Sequence, residues 1–151
     1  MKGPDLTEIF LSAIKNMGID VDSRESRSGK VVYARIAGHK CYLRHANLSH
    51  GRYYFGFATK DMLSDDSAEK AILICGDREV EDIFVMNFSY LRPLIERGKV
   101  VRKKRAVYEE YQATIFPGKD YQITVTGTQG IAIDTKKFKV SLSTVLHAIT
   151  S

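Results

Sequence analysis

The alternation of apolar and polar positions divides the chain into a helix, a run of strands, a second helix, further strands and a closing helix. Leu6, Ile9, Phe10, Ala13, Ile14 and Met17 recur at helical spacing; Asp5 or Thr7 can cap the start, and Gly18 stops the helix. A polar, glycine-containing link is expected over 20–29. The period then becomes two, with Val32, Ala34 and Ile36 facing one way and Val31, Tyr33 and Arg35 the other. Ala37-Gly38 predicts a turn into a second strand over 40–44, and RYYFGF (52–57) predicts a third. AILIC (71–75) is apolar throughout, as a central strand covered on both faces should be.

A charged hairpin tip over 76–82 leads to a strand at 83–87. Ser89 then predicts an N-cap for a helix to about Arg97, with Pro93 tolerated in its first turn and Gly98 as its stop. Residues 107–116 fit either a helix or a strand. A hairpin over 121–126 and 131–134 follows, and Ser141 or Ser143 opens a last helix to about Ile149. These elements predict an α+β fold: a mainly antiparallel sheet with N-terminal, middle and C-terminal helices.

The 151 residues suit a single domain spanning 1–151. The longest apolar runs fall far short of the about 20 residues that span a bilayer, and MKGPDLTEIF has no signal-peptide core. Cys41 and Cys75 each lie in an apolar strand-like run and read as reduced thiols of a cytoplasmic protein. G-x-S-x-G, P-loop, G-x-G-x-x-G and C-x-x-C motifs are all missing from the sequence.

Charge changes this bland picture because it is grouped. Eight Lys or Arg face the single acid Glu25 between Ser23 and Lys60, and seven face Glu96 between Arg92 and Arg105. Between them, Asp61 to Asp82 carries eight acids against Lys70 and Arg78. Two basic blocks nearly free of acids, interleaved with tyrosines, are what a phosphate- and base-contacting surface requires. The candidate nucleic-acid-binding residues are Arg35, Lys40, Tyr42, Arg44, His45, His50, Arg52, Tyr53, Tyr54, Arg102, Lys103, Lys104 and Arg105. Tyr42, Tyr53 or Tyr54 would approach bases, and binding would be strongly salt-sensitive.

The stretch GHKCYLRHANLSH (38–50) also raises a metal site. Yet His39, Cys41, His45 and His50 match no common zinc spacing, and Lys40, Arg44 and Arg52 surround them with no carboxylate between Glu25 and Asp61. The expectation is no metal there, with the imidazoles facing phosphates and strengthening binding toward pH 6.

One further segment carries candidate chemistry. In PGKDYQITVTGTQGIAIDTK (117–136) an acid opens a strand, a turn follows, and an apolar strand ends in Asp134-Thr135-Lys136. This resembles the metal-binding hairpin of PD-(D/E)xK nucleases, and the resemblance implies that Asp120 and Asp134 hold Mg²⁺ while Lys136 positions or activates the attacking water. Register decides whether the acids can meet. The favoured three-residue loop, with its left-handed residue last, is Thr128 to Gly130; it leaves Asp120 about 13 Å from Asp134 at about 3.3 Å per residue. A Gly127 to Gln129 loop would instead set Asp120 opposite Lys136 and diagonal to Asp134.

The strand and strand-helix order over 52–95 is similar to DNA-recognition domains of restriction systems, which implies DNA before RNA and a chain that works alone or as one domain of a larger restriction-type protein. The leading expectation is a DNA-binding domain with no resident cofactor. The alternatives are a Mg²⁺-dependent endonuclease and a protein-interaction module built on the alternating charge blocks.

Overall fold

The computed structural model describes residues 3–63, 68–102, 109–128 and 132–151. Helix α1, Leu6–Asn16, is capped by Asp5, whose side chain accepts from the Glu8 N–H. It buries Leu6, Phe10, Leu11 and Ile14, and Gly18, at φ +86°, ends it.

Four consecutive strands follow: β1 (Val21–Arg27), β2 (Lys30–Ile36), β3 (His39–Ser49) and β4 (Arg52–Ala58). Their connections are the residue pairs Ser28-Gly29, Ala37-Gly38 and His50-Gly51, and both residues of each pair have positive φ. That is the type I′ turn, whose twist matches that of the strands it joins. The link expected over 20–29 is therefore largely strand β1. It is illegible in the sequence because β1 pairs only with β2 and is exposed on both faces, so no alternation marks it. Two register shifts, around Glu25, interrupt that pairing and blunt the open edge.

After α2 (Thr59–Leu63) come β5 (Lys70–Gly76), β6 (Val80–Asn87), α3 (Phe88–Glu96), β7 (Val101–Arg102), β8 (Glu109–Phe116), β9 (Gln122–Val125), β10 (Ala132–Asp134), β11 (Lys139–Val140) and α4 (Val145–Thr150). Strand β3 joins two sheets. Residues 39–42 pair with β2, 41–47 run parallel to β5, and 48–49 pair with β4. Sheet one has the order β1-β2-β3-β5-β6-β11; sheet two continues from the end of β3 through β4, β8, β9 and β10, with β7 beside the start of β8. The sheets are mainly antiparallel and the fold is α+β, with helices at the N-terminus, in the middle and at the C-terminus.

Two cores follow from the pleat. Leu73, Phe84 and Tyr42 of sheet one pack with Phe55, Phe57, Ile115 and Ile123 of sheet two and with α3; Ile72, Ile74, Cys41 and Leu43, on the opposite face, pack with α1 and α4. This is why β5 is apolar at every core position. The segment that fits either helix or strand in the sequence is β8 where it is described, with every second residue buried from Tyr111 onward.

Two local expectations change. Phe88 N–H donates to Glu69 O, so α3 starts one residue before Ser89; its N-cap is Asn87, and Pro93 lies inside the helix. The β9–β10 register is Thr124↔Ala132, Ile123↔Ile133 and Gln122↔Asp134, which is that of a Gly127 to Gln129 loop and not the favoured Thr128 to Gly130 one. Gly127 has a positive φ (+97°), its missing Cβ would sit 2.6 Å from Lys99 Cβ, and Thr128 N–H closes back on Val125 O.

Candidate nucleic-acid interface

The tyrosines of the first basic block divide by strand parity. Tyr42 and Tyr53 are core residues, 0% and 2% exposed, so neither can offer its ring to a base. The Tyr42 hydroxyl donates to Asp61, as does that of Tyr33, and Arg27 clasps the same carboxylate through both terminal nitrogens. The Tyr53 hydroxyl donates to Asp82, which also pairs with Lys139. Burial first, and the neighbouring carboxylate after it, push the Tyr33 and Tyr53 hydroxyls far above their ordinary range; burial does the same at Tyr42. Asp61, which opens the acidic block of the sequence, is 3% exposed and the centre of this network.

The rest of the β2–β3 hairpin is also turned to internal use. Lys40 and Arg44 share the strand face of buried Tyr42. Lys40 Nζ lies 4.9 Å from the centre of the Tyr33 ring, and Arg44 Nε is buried with no hydrogen-bond partner among the described residues. Arg35 donates to Gly38 O in its own hairpin turn.

The histidines diverge. His39 meets Glu69 at 3.0 Å, His50 occupies a left-handed turn position beside Ser49, and His45 Nδ1 lies 2.8 Å from Thr7 Oγ1 and 3.5 Å from Asp5. Desolvation lowers the His45 pKa against the pull of Asp5, with Lys30 and Arg44 adding to the drop. It therefore resists the proton that a phosphate-facing histidine would need toward pH 6. Among the described residues, no three His, Cys, Asp or Glu side chains group to hold a metal ion.

What the structure does expose is the outer face of sheet two. Tyr53, Phe55 and Phe57 point into the core, so Arg52 and Tyr54 point out, and Tyr54 is half exposed. Register continues this face across the sheet: Tyr54 lies opposite Thr114, Thr114 opposite Thr124, Phe116 opposite Gln122, and Gln122 opposite Asp134. Arg52 lies over both Tyr54 (5.9 Å) and Phe116 (5.2 Å), and Lys119 lies over Phe116 as well (5.2 Å). Glu110, buried and accepting from Gln112, limits the face at its Ala58 end.

From Lys119 the surface turns the corner into the 117–136 hairpin. Asp120 takes a left-handed conformation after a 3-10 turn, and its carboxylate lies 4.0 Å from Lys136 Nζ. Asp134 accepts from the Lys136 backbone N–H at 2.8 Å. All three are exposed. Lys137 follows, over the rings of Tyr90 and Phe138, and Lys139 lies over Tyr121. Arg102 is exposed on β7, while Lys103, Lys104 and Arg105 lie outside the described residues.

The sequence singles out Arg52 and Tyr54, and the structure adds Phe116 and Lys119 beside them. One signal was available: alternation in RYYFGF forbids Tyr53 and Tyr54 from facing the same way. The other residues come from separate strands and meet only through sheet register.

No family model, no curated protein and no solved structure matches this chain. The likeness of the 117–136 hairpin to a nuclease hairpin rests on its own residues and register. Among the described residues no helix is long and apolar enough to cross a membrane.

Proposed function

We propose that this protein binds nucleic acid, DNA before RNA, across the outer face of sheet two. The reading is carried by Arg52, Tyr54, Phe116 and Lys119: two partly exposed rings, each with a guanidinium or ammonium beside it, on a face of Thr and Gln. Such a face offers ring planes to bases and cations to phosphates. The magnitudes permit it. An exposed cation–ring pair is worth about 0.5–1 kcal/mol, less than the about 1–3 kcal/mol of a base stacked on an aromatic side chain. A base can therefore take over a ring that Arg52 already covers. Preference for DNA follows from the likeness of 52–95 to DNA-recognition domains.

The test is a binding titration of labelled oligonucleotides against the protein over a salt series. Arg52→Ala and Lys119→Ala should each weaken binding and flatten the log K against log salt slope, by about 0.7 on a single strand or 0.9 on duplex DNA for each phosphate that is no longer neutralised. Unchanged affinity and slope in both variants would sink the assignment to this face.

A second reading has its own observation. The β9–β10 register and the Asp120–Lys136 pair bring the PD-(D/E)xK-like residues closer than the favoured loop would allow. On that reading Asp120 and Asp134 would bind Mg²⁺ and Lys136 would serve the attacking water. Cleavage in Mg²⁺, absent in EDTA and abolished in Asp134→Ala, is the expected result; no cleavage of any oligonucleotide in Mg²⁺ removes this reading and leaves binding standing.

A further inference from the structure

The two rings of the binding face are spaced for a strand whose bases are not paired. Tyr54 lies opposite Thr114, and Phe116 is two residues further along the same strand. Their backbone positions are therefore diagonal cross-strand neighbours, about 7–8 Å apart. Successive bases of a duplex strand are about 3.4 Å apart along the axis, with their planes covered by the bases above and below. A duplex has no free ring face to lay on Tyr54 or Phe116. An extended single strand does, and its neighbouring bases can separate far enough to use both rings.

The charges agree with this. Arg52 and Lys119 flank the rings, while Asp120 and Asp134 sit at the β9–β10 edge, where a backbone would be repelled unless Lys136 offset them. The two cations beside the rings, Arg52 and Lys119, grip a phosphate track weakly compared with about 6–10 phosphate contacts, which cost a binder so much affinity in salt. Stacking must then supply much of the binding.

Resting on the nucleic-acid reading above, we infer that the ligand is single-stranded, with consecutive bases stacked on Tyr54 and Phe116 and phosphates held by Arg52 and Lys119.

The experiment compares three ligands of equal length at one salt concentration: a thymidine oligonucleotide, the same backbone with abasic sites, and a duplex containing the thymidine strand. Wild type, Tyr54→Ala and Tyr54→Phe are each titrated. Because Tyr54 is half exposed, the variants should fold, and a thermal melt verifies that. The expected order is thymidine strand tightest. Tyr54→Ala should weaken it by about 5- to 150-fold, the loss of one stacked base, while Tyr54→Phe keeps the affinity. The abasic strand should bind weakly and be indifferent to Tyr54→Ala. Equal or tighter binding of the duplex, equal binding of the abasic strand, or no effect of Tyr54→Ala overturns the single-strand inference while leaving nucleic-acid binding intact. No binding to any of the three at low salt overturns both.

Discussion

Removing the Asp61 carboxylate should cost far more than its place in an acidic segment suggests. Asp61 is 3% exposed, and it accepts from Arg27 (Nη1 at 2.7 Å, and Nη2), from Tyr33 (3.2 Å) and from Tyr42 (3.3 Å). In Asp61→Ala, two hydroxyls buried between the sheets lose their acceptor. Each unsatisfied group costs about 1–3 kcal/mol. Arg27 has a side chain 36% exposed and can turn to water, so its share is discounted toward the about 0–1 kcal/mol of a surface pair. The sum is about 2–7 kcal/mol, a large part of the about 5–15 kcal/mol that holds a domain together.

The assay is urea unfolding of Asp61→Ala, Arg27→Met and the double variant. Arg27→Met strands a buried carboxylate and should also destabilise strongly. The double variant should lose clearly less than the sum, with a coupling of at least about 1 kcal/mol. A loss below about 1 kcal/mol in Asp61→Ala, or strictly additive losses, would refute the claim that this cluster ties β1, β2 and β3 to α2.

Three other outcomes are expected. His45 holds a lowered pKa because burial disfavours its charge; below about 6.5 the unfolded chain takes the proton first, so stability falls as pH falls through that value. His45→Gln should flatten that part of a pH–stability curve relative to wild type, and an unchanged curve counts against the assignment. Burial pushes the Cys41 thiol up to about 12 and the Cys75 thiol well above its usual range. A thiol reagent at mildly alkaline pH should therefore label neither in the native protein and both in about 6 M guanidinium, enough to unfold most domains; fast native labelling would contradict the packing. Gly51→Ala puts a Cβ at φ +75° in the β3–β4 turn and should cost about 1 kcal/mol or more in a denaturant melt, with Gly51→Asn costing less because Asn tolerates that conformation.

What could be read from the chain depended on whether a residue's environment was local. Helix α1 carries its stripe, cap and stop within a dozen positions, and β5 announces its double burial by losing alternation. Strand β1 had neither signal, because an edge exposed on both faces needs no apolar residue. The role of Asp61 is not legible in its acidic block, since its partners Arg27, Tyr33 and Tyr42 lie 19 to 34 residues away and converge only when the sheets form. The outer face of sheet two was half legible for the same reason. Arg52 and Tyr54 are neighbours on one strand, whereas Phe116 and Lys119 reach them through the β4–β8 register.

Strand β3 carries a consequence for how the chain folds. Its neighbours β2 and β4 are joined to it by two-residue turns and can pair within about 1–10 microseconds. Its parallel partner β5 arrives only after the chain has passed through β4, in sheet two, and α2. A parallel partner must come back over a long crossover, and closing such a loop costs entropy before any contact repays it. Closing sheet one therefore runs through the first strand of sheet two. The β3–β5 pairing therefore waits for that crossover, and both sheets should melt as one cooperative unit.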